Sequence, residues 1–351
     1  MPVFTADQLR RVGRAVFVAA GASEENAARV TDALIDANLT GHDSHGVLRI
    51  PQYLDAIWAH EIVPDARPTL RQETPTAALV DGNWTFGQVG AKYAAEVAIA
   101  KAKETGIAVV GLVRAQHTGR VGEYTEMAAA EGVIGMMVAG GYGGPVGAAP
   151  YGGAGMAFST NPISFGIPAG ERPPVVVDFA TTAVAMGKVW DAQAKGEQLP
   201  PGCIVDREGR PTTNPDDFFA GGYLLPFGGH KGYGLAVAIE LLAQAFTGAD
   251  ALAEGNLGGD IYGRSASLMI ALRADLFRPR ADFARSVDAT LDRIKSVPPA
   301  PGFAEVLVPG EPELRKRQRR LAEGILVAEN TWEKIRIYAG RLCVDVELLV
   351  G

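Results

Sequence analysis

Apolar positions recur at helical spacing near the start of the chain and in strand-length runs through its middle. Leu9, Val12, Val16 and Phe17 share one helical face behind a Thr5/Gln8 capping-box pair, and Gly21 closes that helix. Ser23 then caps a second helix, with Glu24 and Glu25 in its first turn and Val30, Leu34 and Ile35 on its apolar side. Ala77–Val80 reads as a strand, an Ala-rich stretch over 90–104 as a helix ended by Gly106, and Ile107–Val113 as a strand covered on both faces. The alternation continues with a helix over 120–131, a strand over 133–139, a Gly-rich loop over 140–155 and a second strand after Pro162. Val175, Val176 and Val177 predict a buried strand, with Thr181 and Thr182 placed to cap a helix after it. Residues 191–222 read as loop, and a long apolar helix follows Gly234. Ser265–Phe277 predicts a strand, 283–294 an amphipathic helix, 306–312 a strand ending in a tight turn, and 328–340 a last helix.

The order of elements predicts an α/β protein. With 351 residues there is enough chain for two or three packed units. A net charge of −7 argues against a nucleic-acid surface, and the N-terminus lacks the apolar stretch of a signal peptide. Cys203 and Cys343 have no metal or redox spacing and read as free thiols of a reducing compartment, which predicts a cytoplasmic protein. Residues 132–170 carry no Asp, Glu, Lys, Arg or His, but their glycines and prolines break any membrane helix. A Gly-rich uncharged loop lets backbone amides approach a ligand closely, or lets backbones cross at a subunit interface. The basic run over 315–320 reads as a solvated helix face rather than an RNA patch.

Three stretches carry candidate chemistry. His42, Asp43, Ser44, His45, Arg49 and Tyr53 crowd into twelve positions, and His45, Arg49 and Tyr53 are spaced by four. On one helix they would form a stripe; with Pro51 in the first turn of a later helix, His45 falls in the preceding turn. A guanidinium grips a carboxylate with two hydrogen bonds, and an imidazole moves a proton near neutral pH. The bland reading is a set of caps and surface groups. His117 stands at the end of a strand just before a helix, where α/β proteins place site residues. His230 and Lys231, flanked by glycines at a helix start, suit an anion. Asp178, at the end of its strand, suits either a ribose hydroxyl or a helix cap. No Gly-x-Gly-x-x-Gly follows a strand, so the pattern does not predict a Rossmann fold. His42 and His45 at a spacing of three make a weak metal pair with no third ligand, and no metal is expected.

Six motifs in order together resemble the malate/L-lactate dehydrogenase family of type-2 2-hydroxyacid oxidoreductases. They are Ser44-His45-Gly46 with Arg49 and Tyr53; Gln116-His117-Thr118-Gly119; Thr160-Asn161-Pro162; Val177 through Asp178, Phe179 and Ala180 to Thr181; Gly229-His230-Lys231-Gly232; and Pro309-Gly310-Glu311. The resemblance implies a non-Rossmann nicotinamide-binding fold, a mixed sheet with a helical unit made from both chain ends. It implies a division into 1–75 with 312–351, 76–120 with 223–311, and a cofactor-binding unit over 121–222. It implies NAD or NADP as cofactor, a small carboxylate substrate and a homodimer with sites near the interface. His117 and His45 match the family's acid/base histidines, with His117 placed first. Arg49 matches the carboxylate anchor, with Tyr53 and Ser44 beside it. Asn161, Asp178, Phe179, Ala180, His230, Lys231, Pro309, Gly310 and Glu311 match positions that meet the cofactor. The implied reaction interconverts a 2-hydroxy acid and its 2-oxo acid; NADPH-dependent reduction of a cyclic imino acid is the alternative. Two departures stand out. Gln116 and Thr118 flank His117 where the family has other residues, with the charge of Arg120 following, and Val-Ala-Gly-Gly-Tyr over 138–142 lacks the usual polar side chain.

Overall fold

The computed structural model describes residues 1–142, 147–252 and 264–351; part of the expected Gly-rich loop, 143–146, lies outside them. The chain ends build one helical layer. Helix α1 (Ala6–Ala19) starts at Thr5, whose hydroxyl accepts from the Gln8 amide at 3.2 Å while the Gln8 side chain accepts from the Thr5 amide at 2.8 Å. Helix α2 (Glu24–Thr40) is capped by Ser23 and ends on Gly41 at φ 86°, a left-handed conformation that a Cβ would strain. Helix α3 (Ile50–Trp58) carries Pro51 in its first turn, which leaves His45 in the short 3-10 turn Asp43–His45. Near the other terminus, helix α11 (Glu329–Arg341) places Trp332, Ile335 and Ala339 against Phe4, Val16, Phe17, Leu34 and Leu54 in one apolar cluster. Strand β1 (Val3–Phe4) pairs with β12 (Ile325–Leu326), tying the two ends together.

Seven strands form the main sheet: β2 (Thr69–Glu73), β3 (Ala77–Asp81), β4 (Ile107–Ala115), β11 (Arg264–Arg273), β5 (Val133–Tyr142), β6 (Ile163–Ile167) and β7 (Val175–Phe179), in that spatial order. Only β3 and β4 run parallel among these neighbours, so the sheet is mixed, as expected. Helices α4 (Gly87–Thr105) and α5 (Gly122–Ala130) cover one face through Ala91, Ala95, Ala98, Tyr124 and Ala128. Helix α8 (His230–Glu240), with its π-helical continuation Leu241–Ala245, covers the other face over Val138, Ile163, Ala266 and Leu268. Strands over 69–73, 77–115, 133–179 and 264–273 thus share one sheet across the three stretches of chain distinguished above.

A smaller sheet of β8 (Ile204–Val205), β9 (Pro211–Thr212) and β10 (Tyr223–Leu224) packs with α6 (Met186–Lys195) and α7 (Pro215–Phe219) around Val189, Ile204, Phe218 and Leu224. Residues 191–222, expected as loop, therefore hold real elements; each is too short to show a period. Helices α9 (Arg280–Lys295) and α10 (Glu311–Glu323) complete the chain's C-terminal part.

Four further expectations are corrected. The valines of β7 lie on the sheet's edge, where only Val176 is buried. Thr181 and Thr182 cap nothing: their hydroxyls donate to the carbonyls of Thr160 and Val184, and α6 begins later, after Ala185. Val306–Val308 forms no strand, and the chain there leads into the Pro309–Gly310 turn. The basic run is not simply solvated. Arg317 reaches Asp36 and Arg320 reaches Asp43, each at 2.6 Å, latching α10 onto α2 and onto the Asp43–His45 turn.

Candidate active site

Three elements meet at one cluster of polar side chains. Asp43–His45 supplies Ser44 and His45, the junction into α3 supplies Arg49 and Tyr53, and the segment after β4 supplies His117. The His45 and His117 rings stack with centroids 5.4 Å apart. Tyr53, buried at 1 % exposure, places its hydroxyl 2.8 Å from His117 Nδ1. The Gln88 amide donates to that hydroxyl at 2.6 Å. Where the Tyr53 hydroxyl donates to His117 Nδ1, the ring proton sits on Nε2. Ser44 Oγ lies 3.0 Å from His45 Nδ1. Arg49 Nε donates to the Ser44 carbonyl at 2.6 Å and Nη1 donates to Gln52 Oε1 at 2.6 Å, so the guanidinium is held in a fixed orientation. Its Cζ lies 5.4 Å from the centroid of the Trp190 ring on α6, over the ring.

Burial decides the charge state. Desolvation, with Arg49 next in weight, pushes His45 down to about 3. The same two causes hold His117 well below the usual histidine range. Burial, with Arg120 and Lys316 nearby, takes His42 down to about 4. Both stacked histidines are therefore neutral at physiological pH. Tyr53 is pushed up to about 12, mainly by burial, and stays a phenol.

The expected cofactor positions divide into two kinds. Asp178, Phe179, Pro309 and Gly310 line one cleft of about 210 Å³, with His42 and Arg120 on its other side. The Val176 amide donates to the Pro309 carbonyl at 3.3 Å, so the C-terminal turn is docked on the edge strand that carries Asp178. Asp178 Oδ2 accepts from the Gly122 amide at 2.8 Å, so its carboxylate caps α5 while lining the cleft. Phe179 meets Phe227 edge-on at 5.6 Å, which joins this cleft to the turn ahead of His230 and Lys231. There Gly228, Gly229 and Tyr151 line a second opening of about 460 Å³, and Tyr151 contacts the His230 ring. Ala180 follows Phe179 at the end of the edge strand. Asn161 and Glu311 are occupied by the protein itself. Asn161 is fully buried, and its amide donates to the Ala236 carbonyl and to Glu240. Glu311 pairs with Lys295 at 2.6 Å and with Arg315.

Two contributors have no counterpart in the motifs. Gln88 and Trp190 reach this cluster only through the packing of α4 and α6; no spacing or motif in their surroundings points to it. Arg120 is 4 % exposed and pairs with Glu126, and its Nε has no partner among the described residues. An unpaired guanidinium nitrogen beside apolar Val176 and Phe179 fits a group with anionic or carbonyl oxygens on an apolar body, as a dinucleotide has. Among the described residues no three His, Cys, Asp or Glu side chains gather as a metal cage, and no helix is long and apolar enough to cross a membrane.

Comparison with known proteins adds to this geometry. Residues 4–336 match the family model described as malate/L-lactate dehydrogenase. An L-sulfolactate dehydrogenase of Methanocaldococcus jannaschii is 37% identical over 329 residues, which is 93% of each chain. A solved sulfolactate dehydrogenase structure from that organism superposes with a TM-score of 0.89 at 35% identity, covering 99% of both chains. The solved Δ1-piperideine-2-carboxylate reductase of Pseudomonas syringae superposes with a TM-score of 0.83 at 29% identity, covering 97% of this chain and 100% of its own.

Proposed function

This chain belongs to the malate/L-lactate dehydrogenase family, and on that premise we propose that it interconverts a small 2-hydroxy acid and its 2-oxo acid with NAD or NADP. The observation that carries the reading is the convergence of His45, His117 and Arg49 in one cluster, with Tyr53 and Gln88 bonded in series behind His117. Arg49 holds the carboxylate and so fixes which face of the reacting carbon is presented. Ser44 and Tyr53 hold the two imidazoles at their Nδ1 edges, so that each faces the substrate through Nε2. His117 gives a proton to the carbonyl oxygen in reduction and takes it back in oxidation, with His45 stacked beside it. The nicotinamide, when bound, supplies or accepts the hydride. Arg120, Phe179, Pro309 and Gly310 would hold the cofactor in the smaller cleft, and His230 and Lys231 would meet it at the second.

A 2-oxo acid binds as an anion beside Arg49, whose charge helps depress both histidines. Substrate binding therefore raises their proton affinity and loads the acid where it is used. Arg49→Lys replaces a two-pronged donor by a point charge and is expected to raise KM roughly tenfold or more, with a smaller change in kcat. An unchanged KM in that variant removes the anchor assignment.

The likeness to a piperideine-2-carboxylate reductase supports a second reading, reduction of a cyclic imino acid by NADPH. The same Arg49 and His117 would serve it. Parallel assays with pyruvate, oxaloacetate and a cyclic imino acid separate the two: turnover confined to the imine would replace the first reading. A homodimer is part of the proposal, supported by the exposed apolar stretch Leu241, Leu242 and Phe246 on the continuation of α8. So is a cytoplasmic setting, supported by the free thiols of Cys203 and Cys343.

A further inference from the structure

Helix α6 belongs by its core to the small sheet, where Val189 and Ala192 pack beside Ile204 and Leu224. It nevertheless lies on the catalytic turn. Gly187 sits so close to Ser44 that a Cβ there would collide with the Ser44 side chain. One turn further along, Trp190 lays its indole against the Arg49 guanidinium, 5.4 Å from Cζ to the ring centroid. Arg49 is 8 % exposed while Trp190 is 36 % exposed, so the contact sits at the boundary between the protein interior and solvent. A guanidinium over an indole face gains from the ring's quadrupole, more so when water is kept off. The indole also occupies one side of the cation, so a group approaching from that side meets the ring first.

We propose that Trp190 is a positioning residue for the carboxylate anchor: the small-sheet unit reaches across through α6 and fixes the plane in which Arg49 presents itself. The proposal rests on Arg49 binding the substrate carboxylate. It makes Trp190 a determinant of substrate affinity rather than of the proton-transfer step. It also explains a tight Gly187–Ser44 approach, since any residue with a side chain there would lift the indole off the guanidinium.

The test compares three substitutions with the parent enzyme, using a 2-oxo acid that it turns over. Trp190→Ala and Trp190→Leu are expected to raise KM about five- to tenfold, the scale of a partly desolvated cation–π contact, while kcat stays within about twofold. Trp190→Phe, which restores a ring face, recovers most of the loss. Leucine keeps the bulk without the quadrupole, so a normal KM in Trp190→Leu overturns the proposal. In an Arg49→Lys background the Trp190→Leu penalty should shrink, because both changes act on one interaction; full additivity also overturns it. A second readout needs no turnover. The NMR resonance of the Arg49 Nε–H should shift in Trp190→Leu through loss of the ring current and stay close to its parental position in Trp190→Phe. If Arg49→Lys leaves KM unaltered, the carboxylate-anchor reading fails, and the NMR shift alone decides whether Trp190 positions Arg49. An unmoved resonance in Trp190→Leu is the result against it.

Discussion

At the scale of single residues, burial keeps the two proposed acid/base histidines neutral in the free protein. Burial holds His45 at about 3 and His117 well below the ordinary histidine value, with the Arg49 charge as the next cause for each. A depressed histidine takes up its proton only as pH falls through the lowered value. In the oxidation of a 2-hydroxy acid, where the histidine must be neutral to take the proton, the pH profile of kcat/KM, which reports the free enzyme, should therefore show no acid-side inflection near 6.5. The profile of kcat reports the complex, where a carboxylate offsets Arg49, so its acid-side pKa should lie higher than that of kcat/KM. An ordinary inflection near 6.5 in kcat/KM, or equal values in both profiles, would contradict this electrostatic account. Sequence order and family resemblance named His45, Arg49, Tyr53 and His117, which the structure brings together. They were silent on Gln88 and Trp190, whose partners lie 35 and more than a hundred positions away in the chain. Neither residue type is unusual in a helix, and only packing turns them toward Tyr53 and Arg49.

At the scale of elements, Pro51 is the informative residue. The spacing of His45, Arg49 and Tyr53 allowed either one helical stripe or a turn followed by a helix, and the structure adopts the second. The residues converge all the same, because Arg49 Nε donates back to the Ser44 carbonyl. The start of α4 is as tightly specified. A Cβ on Gly87 would run into the carbonyl oxygens of Gln116 and His117, so the helix can seat Gln88 behind Tyr53 only because residue 87 has none. Gly87→Ala is expected to cost about 1–3 kcal/mol in urea unfolding, as overpacking does, and to lower turnover by displacing His117. Parental stability together with parental activity in Gly87→Ala would show that the approach is not constraining. Sequence signals were strong where caps and apolar runs were long, as at Thr5, Ser23, Gly106 and Ile107–Val113. They failed at β7 and at 306–308. Three valines look the same on an edge strand and in a sheet's centre, and Val306–Val308 belongs to no strand although its apolar run reads as one.

At the scale of the whole molecule, the chain ends close on each other through β1 and β12 and through a shared core. The α10 latch onto Asp36 and Asp43 joins the C-terminal part to the turn that carries His45. That organisation could be expected from the family resemblance but not from periodicity, which carries no information on which distant elements meet. The small unit around β8, β9 and β10 reaches the same site from the other side through α6. The exposed Leu241 and Phe246, at 57 % and 68 %, are expected to be covered in a homodimer. Sedimentation equilibrium should report twice the chain mass, and Phe246→Glu should shift the population toward monomer; a parent protein that sediments as a monomer at assay concentrations removes the dimer.

The central claim is that two histidines and Arg49 converge to reduce and reform a small 2-oxo acid beside a bound nicotinamide. Its most direct test follows the absorbance of reduced nicotinamide in the parent, His117→Ala and His45→Ala proteins, supplied with NADH or NADPH and a panel of 2-oxo acids. The account predicts turnover of at least one 2-oxo acid by the parent and a loss of roughly a hundredfold or more in His117→Ala. Near-parental turnover in both alanine variants would contradict it.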